Sequence, residues 1–343
     1  MKILRKALYI VPLIILFSIE KELFSQSLYF SQAYSAHLTL NPANTGRFDG
    51  DWQAVALYRQ QGYNLSDDYQ SSYFSFEYPF YFDNQRVDAG IYYSRDNSAG
   101  GTLPVDRLNI SVANSIVINP GSVVHFGLQG AVVHKQVTWS NITFPDQYNR
   151  DTGMFDPGLP TYGYGESVAT TYLDMGFGLV YSYMFDQGIV KAGYSMQQVN
   201  RPGESFFGID NNLPVKHVLH AKGDLNTGNS LFFIPTFTGI TMNRAYEIMA
   251  GVNAGLYIGE WLGMYQNSVI TGLHLRSLPW RDSKGIIFSL GGSWQYWNFM
   301  LSYDADISSS NQPGYNYSAL ELSVGFRLPS TDITRKTVQW ERY

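Results

Sequence analysis

The feature that most constrains the fold is a period-two alternation of residue types along many short segments. In residues 172–183 (YLDMGFGLVYSY), every odd position carries a large apolar side chain and most even positions carry a small or polar one. Similar alternation occurs in residues 107–112, 245–258 and 319–328. Because successive side chains of a strand point to opposite faces, each segment has one apolar face and one small or polar face. The pattern therefore predicts β-strands that separate an apolar from a polar environment.

The composition shows which environments these are. Aromatic residues make up 16% of the 343 residues and charged residues only 15%, whereas about 25% is usual in a soluble domain. The mean hydropathy of −0.16 is too low for a bundle of membrane helices. Low charge, many aromatics and mild polarity are typical of a barrel with one face in lipid and the other in water. A soluble β-sandwich is the alternative.

The N-terminus predicts export. Lys2, Arg5 and Lys6 precede an apolar run of 13 residues, 7–19, which has the length of a signal peptide and is short for a membrane span. Ser25 offers a small residue for cleavage, so residues 1–25 are the predicted signal peptide; an uncleaved anchor is the alternative. Beyond residue 26 no run of 18 apolar residues occurs. A mature membrane protein of this sequence would have to cross as a closed barrel.

The alternating segments predict an all-β fold, a transmembrane antiparallel up-and-down β-barrel of about 14 strands over residues 51–328. An even strand count places both chain ends on the same side, which we predict to be the periplasm of an outer-membrane protein. The predicted strands start near Asp51, Tyr69, Val87, Asp106, Val123, Tyr172, Gly188, Val215, Leu231, Ala245, Leu262, Ile286, Trp297 and Ser318.

The lengths of the connections support this topology. Outer-membrane barrels have short periplasmic turns and longer extracellular loops. Several odd-numbered connections are predicted to be long, namely residues 95–105, 137–171, 197–214 and 304–317. The even-numbered ones include short turns rich in Gly, Asn and Pro, at residues 119–122, 185–188 and 226–230. Residues 79–86 are a longer exception on the short side, and residues 243–244 are a tight exception on the long side.

Several motifs carry a family resemblance. Residues 29–46 read YFSQAYSAHLTLNPANTG, residues 58–61 read YRQQ, residues 191–207 read KAGYSMQQVNRPGESFF, and the chain closes with Tyr303-Asp304 and SALELSVGFRL. This text resembles the PorP/SprF family of the Bacteroidota over roughly residues 28–328. Gln61 departs from the family pattern, which has Trp there. The positions taken as the N-terminal motif are Phe30, Ser31, Gln32, Asn41, Pro42 and Gly46.

The resemblance implies a role that composition cannot show. Members of this family are outer-membrane barrels of the type IX secretion system, the protein secretion and gliding motility machinery of that phylum. By resemblance, we expect a non-enzymatic barrel that binds the C-terminal sorting domain of a secreted adhesin and supports its secretion and anchoring at the cell surface. Its expected partners are that adhesin, the translocon with its periplasmic components, and outer-membrane lipid. The alternative function is a passive channel or a transporter of hydrophobic solutes.

Aromatic residues in the predicted extracellular loops are the candidate partner-binding residues, because exposed aromatics are typical of contact surfaces. A cap folded over the barrel mouth is the other interpretation. The candidates are Trp139, Phe144, Tyr148, Phe155, Tyr162, Tyr164, Phe206, Phe207, Tyr315 and Tyr317.

Other function classes find little support. The net charge of −5 argues against nucleic-acid binding, and the absence of cysteine removes thiolate metal sites and disulfides. His217 and His220 are three residues apart, which on a strand puts them on opposite faces and disfavours a shared metal. No G-x-S-x-G or H-E-x-x-H motif occurs. We therefore predict no cofactor, metal or catalytic residue, although a barrel-borne lipase remains a distant alternative.

Two flanking segments complete the predicted organisation. Residues 26–50 are longer than a simple lead-in, and either plug the lumen or form a loose periplasmic arm. Residues 329–343 form a predicted periplasmic tail whose basic residues, Arg335, Lys336 and Arg342, either dock a periplasmic partner or are solvated.

Overall fold

Fourteen antiparallel strands form one closed barrel in the computed structural model, which confirms the predicted fold class. Each barrel strand pairs with its neighbours along the chain, and β1 pairs with β16 to close the ring. The structure describes residues 30–62, 69–82, 85–98, 101–138, 144–156, 158–159, 168–206, 211–228, 230–261, 265–279, 283–308 and 318–329. The predicted signal peptide and nearly all of the predicted tail lie outside these ranges.

The strands begin within a few residues of the predicted positions. In chain order they are β1 (Trp52–Gln61), β2 (Tyr69–Phe82), β3 (Gln85–Ser98), β4 (Leu103–Asn119), β5 (Ser122–Val137), the two-residue strands β6 (Tyr148–Asn149) and β7 (Met154–Phe155), β8 (Val168–Phe185), β9 (Gly188–Gln197), β10 (Lys216–Asn226), β11 (Leu231–Met242), β12 (Ala245–Trp261), β13 (Tyr265–Leu278), β14 (Ser283–Trp294), β15 (Trp297–Asp306) and β16 (Ala319–Leu328). Strands β6 and β7 form a separate small hairpin between β5 and β8.

The barrel has its apolar side chains outside and its polar ones inside. On β8, Leu173 and Leu179 are exposed on the outer face, whereas Asp174 and Ser182 are buried on the inner face. A soluble β-protein shows the reverse arrangement, with the apolar face of each strand buried. An apolar outer belt of this kind is the surface that lipid solvates.

Aromatic side chains mark the two margins of this belt. Trp52 on β1 stacks on Phe326 of β16 with ring centroids 5.0 Å apart, and Trp297 meets the same ring edge-on at 4.8 Å. These residues lie where β1 and β15 begin and β16 ends. Exposed tyrosines, including Tyr58 and Tyr303, lie toward the opposite end of their strands. Such girdles are characteristic of the two membrane interfaces of a barrel.

Short connections lie at one end of the barrel, and the longest connections lie at the other end. All even-numbered connections lie at one end, here called the short-turn end, together with the start of β1 and the end of β16. The opposite end, the long-connection end, carries residues 138–167 and 198–215. Two predicted lengths, those of residues 79–86 and 95–105, were wrong because the strands continue further than their alternation suggested. Only two residues separate β2 from β3, and four separate β3 from β4.

Residues 30–50 lie inside the barrel and are here called the luminal segment. The segment contains one turn of α-helix, α1 (His37–Leu40), and a 3₁₀ turn at Pro42–Asn44. Its apolar side chains form two small cores with the inner wall: one joins Phe30 and Leu38 to β1–β3, and the other joins Leu40 to β10, β12 and β14. The hydrophobic core of this protein therefore lies within the lumen. Within the described ranges, no helix is long and apolar enough to cross a membrane.

Candidate functional site

The first part of the luminal segment is held by a buried carboxylate on the last strand. The backbone N–H groups of Ser31 and Gln32 donate to the two carboxylate oxygens of Glu321, at 2.6 and 2.7 Å. The guanidinium of Arg59 forms an ion pair with the same carboxylate and donates to the Ser31 hydroxyl at 3.0 Å. A buried carboxylate is stable only when its oxygens are bonded and its charge is compensated, and this one has both.

A second acid on the neighbouring strand extends this network. The hydroxyl of Ser31 donates to Asp304 at 3.1 Å, and the guanidinium of Arg276 grips the same carboxylate through two nitrogens at 2.8 and 3.1 Å. The side-chain amide of Gln32 donates to Ser302 at 3.0 Å and accepts from Ser323 at 2.5 Å. The luminal segment is thereby joined to the strands on both sides of the β1–β16 seam.

The middle of the segment lies against the opposite wall, on β5 and β8–β10. The side-chain amide of Asn41 donates to the carbonyls of Leu179 and Tyr194, at 3.0 and 3.2 Å. Two glycines paired across β5 and β8 make room here. A Cβ on Gly178 would lie 1.9 Å from the Asn41 side-chain oxygen, and one on Gly127 would lie 2.4 Å from the backbone of Pro42. These glycines are therefore required for the close approach of the segment to the wall.

The last part of the segment is bonded near the short-turn end. Gly46 adopts a φ of +71°, donates its N–H to Glu77 at 2.7 Å, and accepts a hydrogen bond from Arg86 at its carbonyl. A Cβ on Gly46 would clash with Asp88. His37, the first residue of α1, contacts the other oxygen of Glu77 at 2.9 Å. This position therefore requires glycine both for its backbone angle and for its surroundings.

The luminal segment runs from the long-connection half of the lumen toward the short-turn end. Asp304, the partner of Ser31, is paired with Ala319, the first residue of β16. At the other extreme, the N–H of Asp51 donates to the carbonyl of Leu328, the last residue of β16, at 2.7 Å. The chain thus enters the segment near one mouth and leaves it at the other, directly into β1.

A cavity of about 80 Å³ lies in the long-connection half of the lumen. Thr39 of the luminal segment contributes to its lining, and Gln198, Glu204 and Leu213 contribute from the connection that follows β9. The wall side chains come mainly from β3, β4, β5, β8 and β10, and they include Arg107, Lys135, Lys216, Asp96, Tyr92 and Tyr172.

Ion pairs hold the margin of this cavity. Arg107 bonds to Asp174 at 2.6 Å across the inner wall. Lys135 pairs with Glu204, and its ammonium lies 5.8 Å from the ring centre of Phe206. The connection after β9 is therefore fastened to β5 by both a charge and an aromatic ring.

The same connection contains Asn200, which belongs to the segment 191–207 that carries part of the family resemblance. The side chain of Asn200 donates to the carbonyl of Leu173 at 2.7 Å and accepts from the N–H of Met175 at 3.1 Å. It thus continues the pairing of β8 beyond the end of β9, at residues of the first half of β8 that have no partner on β9. The asparagine side chain mimics a backbone amide here, which explains why that residue type stands at the turn.

The predicted aromatic loop residues are only partly described. Tyr148 and Phe155 pair across the β6–β7 hairpin with ring centroids 5.3 Å apart, and both are exposed, as is Met154 between them. Phe144 and Phe206 are half-buried. The structure thus brings two of the ten candidates together. The remaining candidates, Trp139, Tyr162, Tyr164, Phe207, Tyr315 and Tyr317, lie outside the described residues.

The charged residues of the lumen were not singled out as site residues from the sequence. A signal for some of them existed, because Arg59, Asp304 and Glu321 each stand inside a motif that carries the family resemblance. Their positions on the polar face of an alternating strand are a second signal, since a charge there must find a partner inside the lumen. Glu77 and Arg276 stand outside the quoted motifs, so only the second signal applies to them.

The histidines do not converge. His217 is on the outer face and bonds to the Tyr194 hydroxyl at 2.7 Å, whereas His220 is buried in the lumen beside Asn41. His125 lies on the inner wall between two serines, and His134 faces outward. Among the residues that the structure describes, no group of three or more His, Asp or Glu side chains could hold a metal ion.

Two solved structures with a similar architecture are monoaromatic hydrocarbon channels. The barrel matches the CymD monoaromatic hydrocarbon channel with a TM-score of 0.50 and 11% identity, covering 87% of this chain and 94% of that one. It matches the TodX deltaS2S3 mutant monoaromatic hydrocarbon channel with a TM-score of 0.52 and 12% identity, covering 88% and 95%. At this identity the likeness concerns the fold alone. No curated protein matches the chain.

The family is shown by the sequence itself. The profile of the type IX secretion system membrane protein PorP/SprF matches residues 22–326. This range includes the luminal segment and the whole barrel except the last two residues of β16. The chain therefore belongs to the PorP/SprF family of type IX secretion system membrane proteins and is an outer-membrane β-barrel.

Proposed function

We propose that this barrel binds the C-terminal sorting domain of a secreted adhesin at its long-connection end, supports the secretion of that adhesin, and anchors it at the cell surface. The role is non-enzymatic, with the short-turn end and both chain ends on the periplasmic side. Membership of a type IX secretion family supports the secretion context. The direction follows from the rule that the short turns of such barrels face the periplasm.

The observation that carries the proposal is the exposed hairpin β6–β7. It presents Tyr148, Met154 and Phe155 with exposed fractions of 44%, 70% and 51%. Aromatic and methionine side chains are enriched in protein interfaces. Exposed apolar groups that lie beyond the barrel strands, on the longest connection, are typical of a contact surface for another protein.

The hairpin also supports a mode of attachment. In the part of the chain that the structure describes, β6 and β7 pair only with each other, so each has an outer edge. An extended segment of a partner can add to such an edge through backbone hydrogen bonds, while pockets between side chains give specificity. Addition of a partner strand here would need no change in the barrel wall.

The alternative function, a passive channel or transporter of hydrophobic solutes, is disfavoured by the luminal segment. The segment bonds to the β1–β16 seam on one side and to β8–β10 on the other, so it crosses the lumen. We propose that this segment makes the barrel a rigid platform instead of an open pore. The translocon and its periplasmic components are the further partners that family membership supports.

The test is the distribution of secreted proteins between the cell surface and the medium. Tyr148→Ser combined with Phe155→Ser should move a protein with a C-terminal sorting domain from the surface into the medium, as measured by quantitative mass spectrometry of both fractions. Phe82→Ser is the control, because Phe82 is also an exposed aromatic, at 63%, and ends β2 at the short-turn end of the barrel.

Barrel folding must be monitored in parallel. Folded outer-membrane barrels migrate differently from unfolded ones in gels without heating, so the fraction of folded protein is measured directly. Retention at the wild-type level in the folded double variant would reject the hairpin as the contact surface. Equal release by the Phe82→Ser control would show that the effect is not specific to the hairpin.

A further inference from the structure

We infer that the cavity in the long-connection half of the lumen binds the carboxyl-terminal end of a peptide chain. The inference rests on the proposed function in one respect, which is that the secreted partner supplies the chain end. Three features carry it: an unpartnered buried acceptor, cationic side chains from three strands, and a volume that matches the end of a chain.

The unpartnered acceptor is the side-chain oxygen of Gln198. Gln198 is only 7% exposed and lines the cavity, yet its side-chain oxygen has no hydrogen-bond partner within the described structure. Its backbone is held in a left-handed conformation, with φ at 58°, while its N–H donates to Asp174 at 3.0 Å. A buried polar group in this state requires a donor from solvent or from a ligand.

Two further buried side chains with unbonded polar atoms lie on the inner wall next to the cavity, on β4 and β5. Asn109 follows Arg107 on the same face of β4 and is fully buried, and neither of its side-chain atoms has a hydrogen-bond partner among the described residues. On the neighbouring strand β5, the side-chain oxygen of Gln129 likewise has no partner among them. Polar groups without a partner in the described structure therefore occur both at the cavity and in the wall next to it.

The cationic side chains of the lining offer hydrogen-bond donors to an anionic group. Arg107, Lys135 and Lys216 come from three different strands and line the cavity, against two lining carboxylates, Asp96 and Glu204. Asp174 lies behind Arg107 and bonds to one of its terminal nitrogens. A guanidinium has five N–H donors and an ammonium has three, so these side chains can hold their present partners and still donate to a carboxylate.

The shape favours a chain end over a chain that passes through. Thr39 of the luminal segment lines the cavity, and the luminal segment itself crosses the lumen. A volume of about 80 Å³ holds roughly five to eight water-sized atoms, which is the size of a small terminal residue with its carboxylate. The terminal N–H would donate to Gln198, and the carboxylate would accept from the cationic side chains.

The test uses the full-length barrel in lipid nanodiscs and two probes, N-acetyl-glycyl-glycine with a free carboxylate and the same peptide as its terminal amide. Binding is measured by ligand-observed saturation-transfer NMR. We expect the carboxylate to bind at least about tenfold more tightly than the amide, since a charge-assisted hydrogen bond is lost in the amide. Equal binding of the two peptides would overturn the inference, and so would no binding of either.

Two variants address the site, and one serves as a control. Lys216→Gln and Gln198→Ala should each weaken binding of the carboxylate probe about tenfold, and folding is checked by the gel shift of each variant. Lys284→Gln removes the same charge at an exposed position on β14, away from the cavity, and should bind as the wild type does. Unchanged binding by both cavity variants would contradict the inference.

The result is separable from that of the surface-retention assay. If the hairpin variants release a secreted protein but neither peptide binds, this inference fails while the proposed function stands. If the carboxylate peptide binds as described but the hairpin variants retain every secreted protein, the cavity site stands and the proposed hairpin contact fails.

Discussion

Arg59 on the first barrel strand and Glu321 on the last are direct neighbours in the register that closes the barrel, and they form an ion pair inside the lumen. Both side chains are almost fully buried, at 5% and 1% exposure. The same carboxylate accepts the N–H groups of Ser31 and Gln32. One carboxylate thus links the luminal segment, the first strand and the last strand.

Removal of this carboxylate should destabilise the barrel strongly. Glu321→Ala leaves the buried guanidinium of Arg59 without its charge partner and two backbone N–H groups without an acceptor. We expect the free energy of unfolding to fall by about 3–5 kcal/mol, measured by urea titration in lipid vesicles.

The matched double variant separates charge from packing. Arg59→Met combined with Glu321→Leu removes both charges, so it should lose less stability than Glu321→Ala alone, because no buried charge remains unpaired. A double variant that is less stable than the single one would show that the ion pair is not the main contribution of these residues.

The glycine pair on the wall should control the position of the luminal segment. Gly178→Val places a side chain where the oxygen of Asn41 now lies, 1.9 Å from the new Cβ. We expect displacement of the segment and about tenfold faster trypsin cleavage after Arg47 in proteoliposomes, equivalent to about 1.4 kcal/mol. Gly130→Val is the control, since a Cβ there meets nothing within 4 Å. Equal cleavage of both variants would show that the glycine at 178 does not determine where the segment sits.

The luminal segment should also set the electrical behaviour of the barrel. A barrel of 14 strands encloses more space than the 8-stranded barrels that side chains can fill. We expect the intact protein to show no steady open level in planar lipid bilayers, and a variant lacking residues 30–48 to show one. A steady current through the intact, folded protein would favour the channel alternative.

The outer belt should respond to charge according to depth. Leu179 lies within the apolar row of β8, and Tyr183 lies near its end. Leu179→Arg should cost about 2–4 kcal/mol of stability, whereas Tyr183→Arg should cost about 0–1 kcal/mol. The measurement is again urea unfolding in lipid vesicles. Similar costs at the two positions would contradict the placement of the membrane midplane near Leu179.

The barrel itself was predictable because its information is local. Alternation in residues such as those of β8 sets which face of a strand meets lipid, and turn residues set where it ends. The strand ends were predicted wrongly where the alternation of apolar and polar residues stops. Charged residues such as Arg86 and Arg95 lie in positions that read as loop, but they extend β3 at both ends because the neighbouring strands offer hydrogen-bond partners.

The luminal network was not predictable in the same way. Ser31 and Glu321 are 290 residues apart, and only closure of the ring brings them together. No periodicity encodes that contact. The motifs of the family resemblance gave the best indication of this network, because they contain Ser31, Arg59, Asp304 and Glu321. A motif does not, however, show which of its residues are in contact. The cavity could not be predicted either, since its lining comes from seven strands, the connection after β9 and the luminal segment.

The bond between the luminal segment and β16 has a consequence for biogenesis. Ser31 and Gln32 precede the first barrel strand, whereas their acceptors Asp304 and Glu321 lie on the last two strands. Until those two strands have joined the barrel, the luminal segment lacks these hydrogen bonds. Closure of the ring and fixation of its interior are therefore one coupled event.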